Sequence, residues 1–279
     1  MFVSSLLLAA TLAQQITAVT KPVDTTIGVA VVDVKSGQRT LVRGDERFPM
    51  GSVYKFPIAL TVLKLVDDKK LSLSTEATIA PNRFAPGWSP LRDRANGQPI
   101  HSTVGDLLRH MVSVSDNTAC DYLLDLVGGG AAVTKRMREL GVQEIQIDRR
   151  ERDIAADIKA KGDQAYVADR RDTATPAAMA DLLVKLTKGE VGLTPASRNL
   201  LLQMMIETAT GANRIKAGIP ANAQVAHKTG TMPLVINDVG IVRLANGTQR
   251  VVVVFTKGGK APDEAREKAI REIAHAAVE

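Results

Sequence analysis

Three short clusters in this 279-residue chain bring together side chains able to do nucleophilic chemistry. Ser52-Val53-Tyr54-Lys55 places a hydroxyl and an amine three positions apart. On a helix such a pair shares one face, so the Lys55 amine can reach the Ser52 hydroxyl. A serine hydroxyl is a weak nucleophile until a neighbouring base takes its proton. A lysine that is partly desolvated, or near another cation, has a lowered pKa and can be that base. The same four residues also fit a helix capped by Ser52 and carrying a solvated lysine. Ser115-Asp116-Asn117, expected between two helices, adds a second hydroxyl and a side-chain amide. A turn that caps a helix from about Thr118 accounts for it equally well. Lys228-Thr229-Gly230-Thr231 closes an expected strand with a cation, two hydroxyls and a glycine that permits close backbone approach. Lys35-Ser36-Gly37 repeats that pattern upstream of the serine, where it reads as a hairpin turn.

The elements that must hold these clusters are legible from periodicity. Thr26–Asp33 reads as a buried strand, and residues 39–43 as a second one beyond a turn. Near the other end, residues 224–229, 235–244 and 250–257 are β-branched runs, the last two joined by an Asn246-Gly247 turn. A final amphipathic helix is expected over about 262–278. Between the ends the signals are helical. Ser52 could cap a helix to about Asp67, and Thr103 with Asp106 resembles a capping box. Thr175-Pro176 and Thr194-Pro195 each pair an N-cap with proline at the first helical position. The predicted fold class is mixed α/β (α+β). An antiparallel sheet of about five strands is formed by both chain ends and flanked by helices, with an all-helical domain inserted. The expected division is residues 14–48 with 219–279 as the sheet domain and 49–218 as the helical domain. Residues 148–172 lack a clear period and read as a long loop, a length usually tied to function.

Composition bounds the rest. Apolar residues make up 45% and charged residues 24%, which excludes a disordered, collagenous or polytopic membrane chain. The net charge of +6 raises nucleic acid as a partner. The densest basic run, however, lies in 148–172, where seven Lys and Arg meet seven Asp and Glu. With few aromatic residues to stack bases, no nucleic-acid partner is expected. One cysteine, Cys120, excludes an internal disulfide. His101, His110, His227 and His275 lack metal-ligand spacing, so no metal is expected. The apolar run over residues 2–13 is too short to span a bilayer, so no stable membrane insertion is expected. It fits either the apolar core of an export signal or a first helix running to about Val19 and stopped by Pro22.

S-x-x-K, S-D-N and K-T-G in this order form a signature of class A β-lactamases and penicillin-binding proteins. The sequence resembles the class A serine β-lactamases from about Thr26 to the final helix. Phe48-Pro49-Met50, Ser115 through Ala119, and Asp172 through Met179 carry the likeness around the motifs. Asp121 after Cys120, where asparagine is common, resembles a divergent, cephalosporinase-leaning subgroup. The resemblance implies Ser52 as nucleophile, with Lys55, or Glu151 through water, as the base of acylation. It implies Ser115 as proton donor to the leaving nitrogen and Glu151, 36 residues after Ser115, as the deacylating base. Asn117, Lys228, Thr229, Gly230, Thr231 and Trp88 would bind substrate, while Arg149 and Asp172 would pair at the base of the 148–172 loop. The backbone N–H groups of Ser52 and Thr231 would form the oxyanion hole.

Departures from the family pattern are specific. Arg152 and Ala155 stand where proline and a water-holding asparagine are usual. Asp153 and Asp157 are alternative bases in the long loop. Asp238 sits roughly where many members carry a carboxylate-binding arginine, which shifts that duty to Lys228, Thr229 and Thr231. The expected activity is hydrolysis of β-lactams in the periplasm or outside the cell, by a monomer without cofactors. A D-alanyl-D-alanine carboxypeptidase or transpeptidase, or a sensor that stays acylated, shares the three motifs and differs in lacking a deacylating base.

Overall fold

The computed structural model describes residues 2–279, with side chains described from residue 11 onward. The chain starts with α1 (Phe2–Thr20), then β1 (Thr26–Asp33), β2 (Arg39–Val42) and β3 (Phe48–Pro49). α2 (Lys55–Asp67), β4 (Glu76–Ile79), α3 (Pro90–Ala95), β5 (Ile100–Thr103) and α4 (Val104–Ser113) follow. Next come α5 (Asn117–Leu126), α6 (Gly129–Glu139), α7 (Glu151–Lys161), α8 (Asp163–Ala168) and β6 (Thr173–Ala174). The chain ends with α9 (Pro176–Lys188), α10 (Pro195–Ile206), α11 (Ile215–Gly218), β7 (Gln224–Met232), β8 (Val235–Arg243), β9 (Gln249–Lys257) and α12 (Asp263–Ala276).

The five-stranded sheet has the order β2-β1-β9-β8-β7, antiparallel throughout, so the two chain ends do build it together. Its central strands are apolar at nearly every position because both faces are covered. Ala30 and Val32 of β1, with Val251, Val253 and Phe255 of β9, pack into the core shared with the helices of the insertion. Ile27, Val29 and Val31, with Val252 and Val254, face the opposite way into a second core with α11 and α12. Alternation with period two thus divides one strand between two cores. The insertion is helical apart from two short ladders, β3 with β6 and β4 with β5.

The expected caps hold. Thr103 accepts from Asp106 N, Thr175 from Ala178 N and Thr194 from Ser197 N. The N-terminal helix is present and stops before Pro22; Ile16 is buried in the second core, with Leu12 and Val19 packed against it. The side chains of the export-signal reading over 1–13 lie mostly outside the described residues. No helix among the described residues is long and apolar enough to cross a membrane. Residues 148–172 are not a loop. They form α7 and α8, separated by Gly162 at φ +82°.

Candidate active site

Ser52 does not cap α2. Gly51, at φ +51°, begins a single 3-10 turn over Gly51–Tyr54 that runs straight into α2. With no capping duty, the Ser52 Oγ accepts a 2.9 Å hydrogen bond from Lys55 Nζ. β7 passes so close to this turn that only glycine fits at 230. A Cβ there would lie 2.4 Å from Met50 O and 3.3 Å from Ser52 N. Asn237 secures the approach from β8, its Nδ2 donating to Pro49 O at 2.9 Å and Met50 O at 3.1 Å.

Lys55 is fully buried, which overturns the solvated-lysine alternative. Taking an ammonium out of water costs several kcal/mol unless oxygens replace the hydration shell. Four do: Ser52 Oγ at 2.9 Å, Ser115 O at 2.8 Å, Asn117 Oδ1 at 2.6 Å and Glu151 Oε1 at 2.9 Å. An ammonium has three N–H groups, so these four cannot all be satisfied together. The serine and the glutamate compete for one amine. On β7, Lys228 is also fully buried and donates to Ser115 Oγ at 2.9 Å. Burial, and then the nearby Lys55 cation, push the Lys228 ammonium well below the usual lysine range, with Asp238 and Glu151 opposing. Such a group gives up its proton more readily than an exposed lysine.

Ser115, Asp116 and Asn117 divide the chemical and structural duties. Ser115, between α4 and α5, takes φ +62°, an uncommon left-handed conformation for serine that aims its Oγ between the two lysines. Asp116 caps α5, accepting from Ala119 N at 2.9 Å, from Leu91 N at 2.8 Å and from Ser89 Oγ at 3.1 Å. Asn117 holds Lys55 through Oδ1 and Pro86 O through Nδ2.

Glu151 opens α7 and is only 4% exposed. Its position is set from another helix: Asp121 on α5 accepts from Glu151 N at 2.6 Å and from Arg152 N at 3.3 Å, capping α7 in trans. Burial raises the Asp121 carboxyl to about 6, against the pull of Arg152, whose Nε donates at 2.9 Å. Arg149 Nε donates to Asp172 Oδ2 at 2.6 Å, and the other Asp172 oxygen accepts from the backbone of Asp148 and Arg149. Asp153 is taken up by Arg150, and Asp157 by Arg149, Arg171 and Lys161, so neither alternative base faces the cleft. Ala155, one turn after Glu151 on the same face of α7, does line it.

These groups meet at an open cleft of about 720 Å³. Ser52, Ser115, Glu151, Asn117, Thr229 and Thr231 form its polar floor; Trp88, Met232, Pro233 and Leu234 form an apolar rim. Trp88 is 61% exposed and tethered by Nε1 to Val114 O at 2.8 Å. Lys55, Lys228 and Gly230 stand behind this lining.

Sequence reasoning missed three contributors. Thr210 bonds Thr229 across the cleft wall at 2.5 Å, and Asp263 stands at the rim. Arg214 is the largest omission. Its buried guanidinium donates to Thr231 Oγ1 at 2.7 Å and to Asn237 O at 3.0 Å, and pairs with Glu267 at 2.9 Å. Arg214 comes from the loop before α11, with no local motif to announce it. Cys120 is buried against Tyr54, its thiol pushed well up by desolvation, and packs behind the site. No group of three or more His, Cys, Asp or Glu among the described residues is arranged to hold a metal ion.

A buried lysine shared between a serine and a glutamate, at the lip of a cleft between a sheet edge and a helical layer, is the arrangement of a hydrolase that works through an acyl-serine. Comparison with known proteins gives the class. The model of the beta-lactamase enzyme family matches residues 11–279. Beta-lactamase VEB-1 of Pseudomonas aeruginosa is 36% identical over 258 residues, 89% of this chain and 83% of that protein. The carbapenem-hydrolyzing beta-lactamase KPC of Klebsiella oxytoca is 32% identical, over 91% of this chain and 83% of its own length. A beta-lactamase structure from Chitinophaga pinensis superposes with a TM-score of 0.88 at 33% identity, covering 95% of this chain and 97% of the other. The chain belongs to the beta-lactamase enzyme family as a class A serine β-lactamase. It hydrolyses the amide bond of β-lactam antibiotics, an activity that confers resistance to them.

Proposed function

We propose that Ser52 Oγ attacks the lactam carbonyl carbon, with Lys55 and Glu151 sharing the task of taking its proton. The observation that carries this reading is the single Lys55 amine at 2.9 Å from both Ser52 Oγ and Glu151 Oε1. The backbone N–H groups of Ser52 and Thr231 stabilise the oxyanion; the abutment of the Ser52 turn on β7 at Gly51 and Gly230 supports this. As the ring C–N bond breaks, Ser115 passes a proton to the departing nitrogen and is resupplied by Lys228. Asn117 binds the acylamino side chain and Trp88 covers the cleft mouth. The substrate carboxylate sits against Thr229 and Thr231, with Lys228 and Arg214 as the cations behind them.

In deacylation Glu151 removes a proton from water, the hydroxide attacks the ester carbonyl, and the Ser52 alkoxide leaves and regains its proton. Only this second half separates a hydrolase from a carboxypeptidase-like protein or a sensor. Intact-protein mass spectrometry during incubation with a penicillin tests the assignment. Glu151→Gln is expected to slow acyl-enzyme hydrolysis by about 10³-fold, so the Ser52 adduct accumulates. Undiminished turnover in that variant would move the base elsewhere. The setting we propose is the periplasm or the exterior of the cell, and the working form a monomer, checked by sedimentation in solution.

A further inference from the structure

On the face of the sheet that packs against α11 and α12, behind the cleft lining of Thr229 and Thr231, His227 and Asp238 form a pair to which the mechanism assigns no role. Both are fully buried. Neighbouring residues of a strand point to opposite faces, so with Lys228 turned to Ser115 and the helical insertion, His227 is turned to the layer of α11 and α12. His227 Nδ1 lies 3.0 and 3.1 Å from the two Asp238 oxygens. Its Nε2 has no partner, so a proton there would be buried without an acceptor. A proton on Nδ1, shared with Asp238, is the arrangement that fits. The sheet is cut to receive it: at Gly240, opposite His227 in register, a Cβ would lie 2.8 Å from His227 Cβ.

Asp238 accepts from His227 on one side and, at 3.1 Å, from the backbone N of Ile215 on the other. Ile215 is the first residue of α11 and directly follows Arg214. A four-residue helix cannot hold its own position by internal hydrogen bonds. Arg214 itself has φ −95° and ψ −130°, so the chain turns sharply into α11 at this residue. Replacing a buried polar pair by apolar residues often leaves stability unchanged, so packing alone does not call for this one. Its distinct consequence is the fixed direction of Ile215 N, and with it the reach of Arg214 to Thr231.

We propose that His227 and Asp238 are a positioning pair that holds Arg214 against Thr231 and so sets recognition of the substrate carboxylate. This rests on the reading that the carboxylate binds at Thr229 and Thr231. The probes are benzylpenicillin and its methyl ester, which lacks the free carboxylate. Asp238→Ala is expected to raise KM for the acid about tenfold with kcat within about threefold, and to leave kcat/KM for the ester unchanged. Arg214→Ala should do the same, and the double variant should be no worse than Arg214→Ala alone. His227→Asn, whose Nδ2 donates from about the place of Nδ1, should stay within about twofold of the unsubstituted enzyme, while His227→Ala should follow Asp238→Ala. If Asp238→Ala does not fold, the two His227 variants carry the same test with the same substrates. Equal losses for acid and ester, or additive effects of the two sites, would overturn the positioning role. An acid-over-ester preference intact in Arg214→Ala would instead overturn the carboxylate assignment itself.

Discussion

Two charge clusters, each with a buried centre, lie on either side of Glu151, and they behave in opposite ways. At the base of 148–172, Arg149 joins Asp172, Asp157 and Asp169, and Arg171 joins the last two. Hydrogen bonds and attraction hold Asp157 and Asp169 below the usual carboxylate range and Arg149 above its own; only Asp172, the most buried acid, is pushed up. Every Asp172 oxygen has a donor, and none of these groups lines the cleft. In the cleft the same ingredients are arranged with too few partners. Lys55 faces more oxygens than it has protons, and Lys228 is pushed toward neutrality by burial and a like charge. Burial of charge therefore does not mark chemistry. A network whose carboxylate oxygens all have donors, away from the cleft, locks a segment in place, whereas an amine with more acceptors than protons beside open space keeps protons mobile.

The contrast can be broken by substitution. Lys55→Met should lower the rate of Ser52 acylation by about 10³-fold, read as adduct formation by mass spectrometry. Near-normal acylation would mean that Glu151 alone activates the serine. Arg149→Met should instead cost about 3 kcal/mol in urea unfolding, because it takes the charged partner from the buried Asp172 carboxylate. Unchanged stability would show that the second cluster is not architectural.

The third handle lies between the clusters. Asp121 is raised to about 6 in the folded chain against an ordinary aspartate value of 3.8. Between those values the folded state binds more proton than the unfolded, so stability is expected to fall as pH rises from about 4 to about 6. Asp121→Asn should flatten that fall, by of order 2 kcal/mol, in thermal unfolding followed across pH. A parallel curve would place the buried proton elsewhere. The smallest effect is expected from Ala155→Asn, which adds an amide beside Glu151 and should speed acyl-enzyme hydrolysis about threefold by holding the water.

The two clusters also differ in how much of them could be read from sequence. Ser52, Lys55, Ser115 and Lys228 belong to short motifs whose spacing already implies a shared face. The helices flanking Arg149 escaped notice for a physical reason. α7 is mostly charged, with too few apolar residues to mark a period, and its N-terminal cap is Asp121, thirty positions upstream. A cap supplied in trans leaves no local signature. Ser52 was misread as a cap because a serine before an apolar run fits that pattern, while the 3-10 turn depends on Gly51 and the close passage of β7.

Local patterns by themselves determined the five strands, the Thr103, Thr175 and Thr194 caps and the order of the three motifs, because hydrophobic period and capping act between near neighbours. Tertiary structure alone decided that four oxygens crowd Lys55, that Asp121 accepts from Glu151 N, and that Arg214 reaches Thr231 from the loop before α11. Those contacts join residues from separate elements. Their strength comes from burial that exists only once the sheet and the helices have packed together.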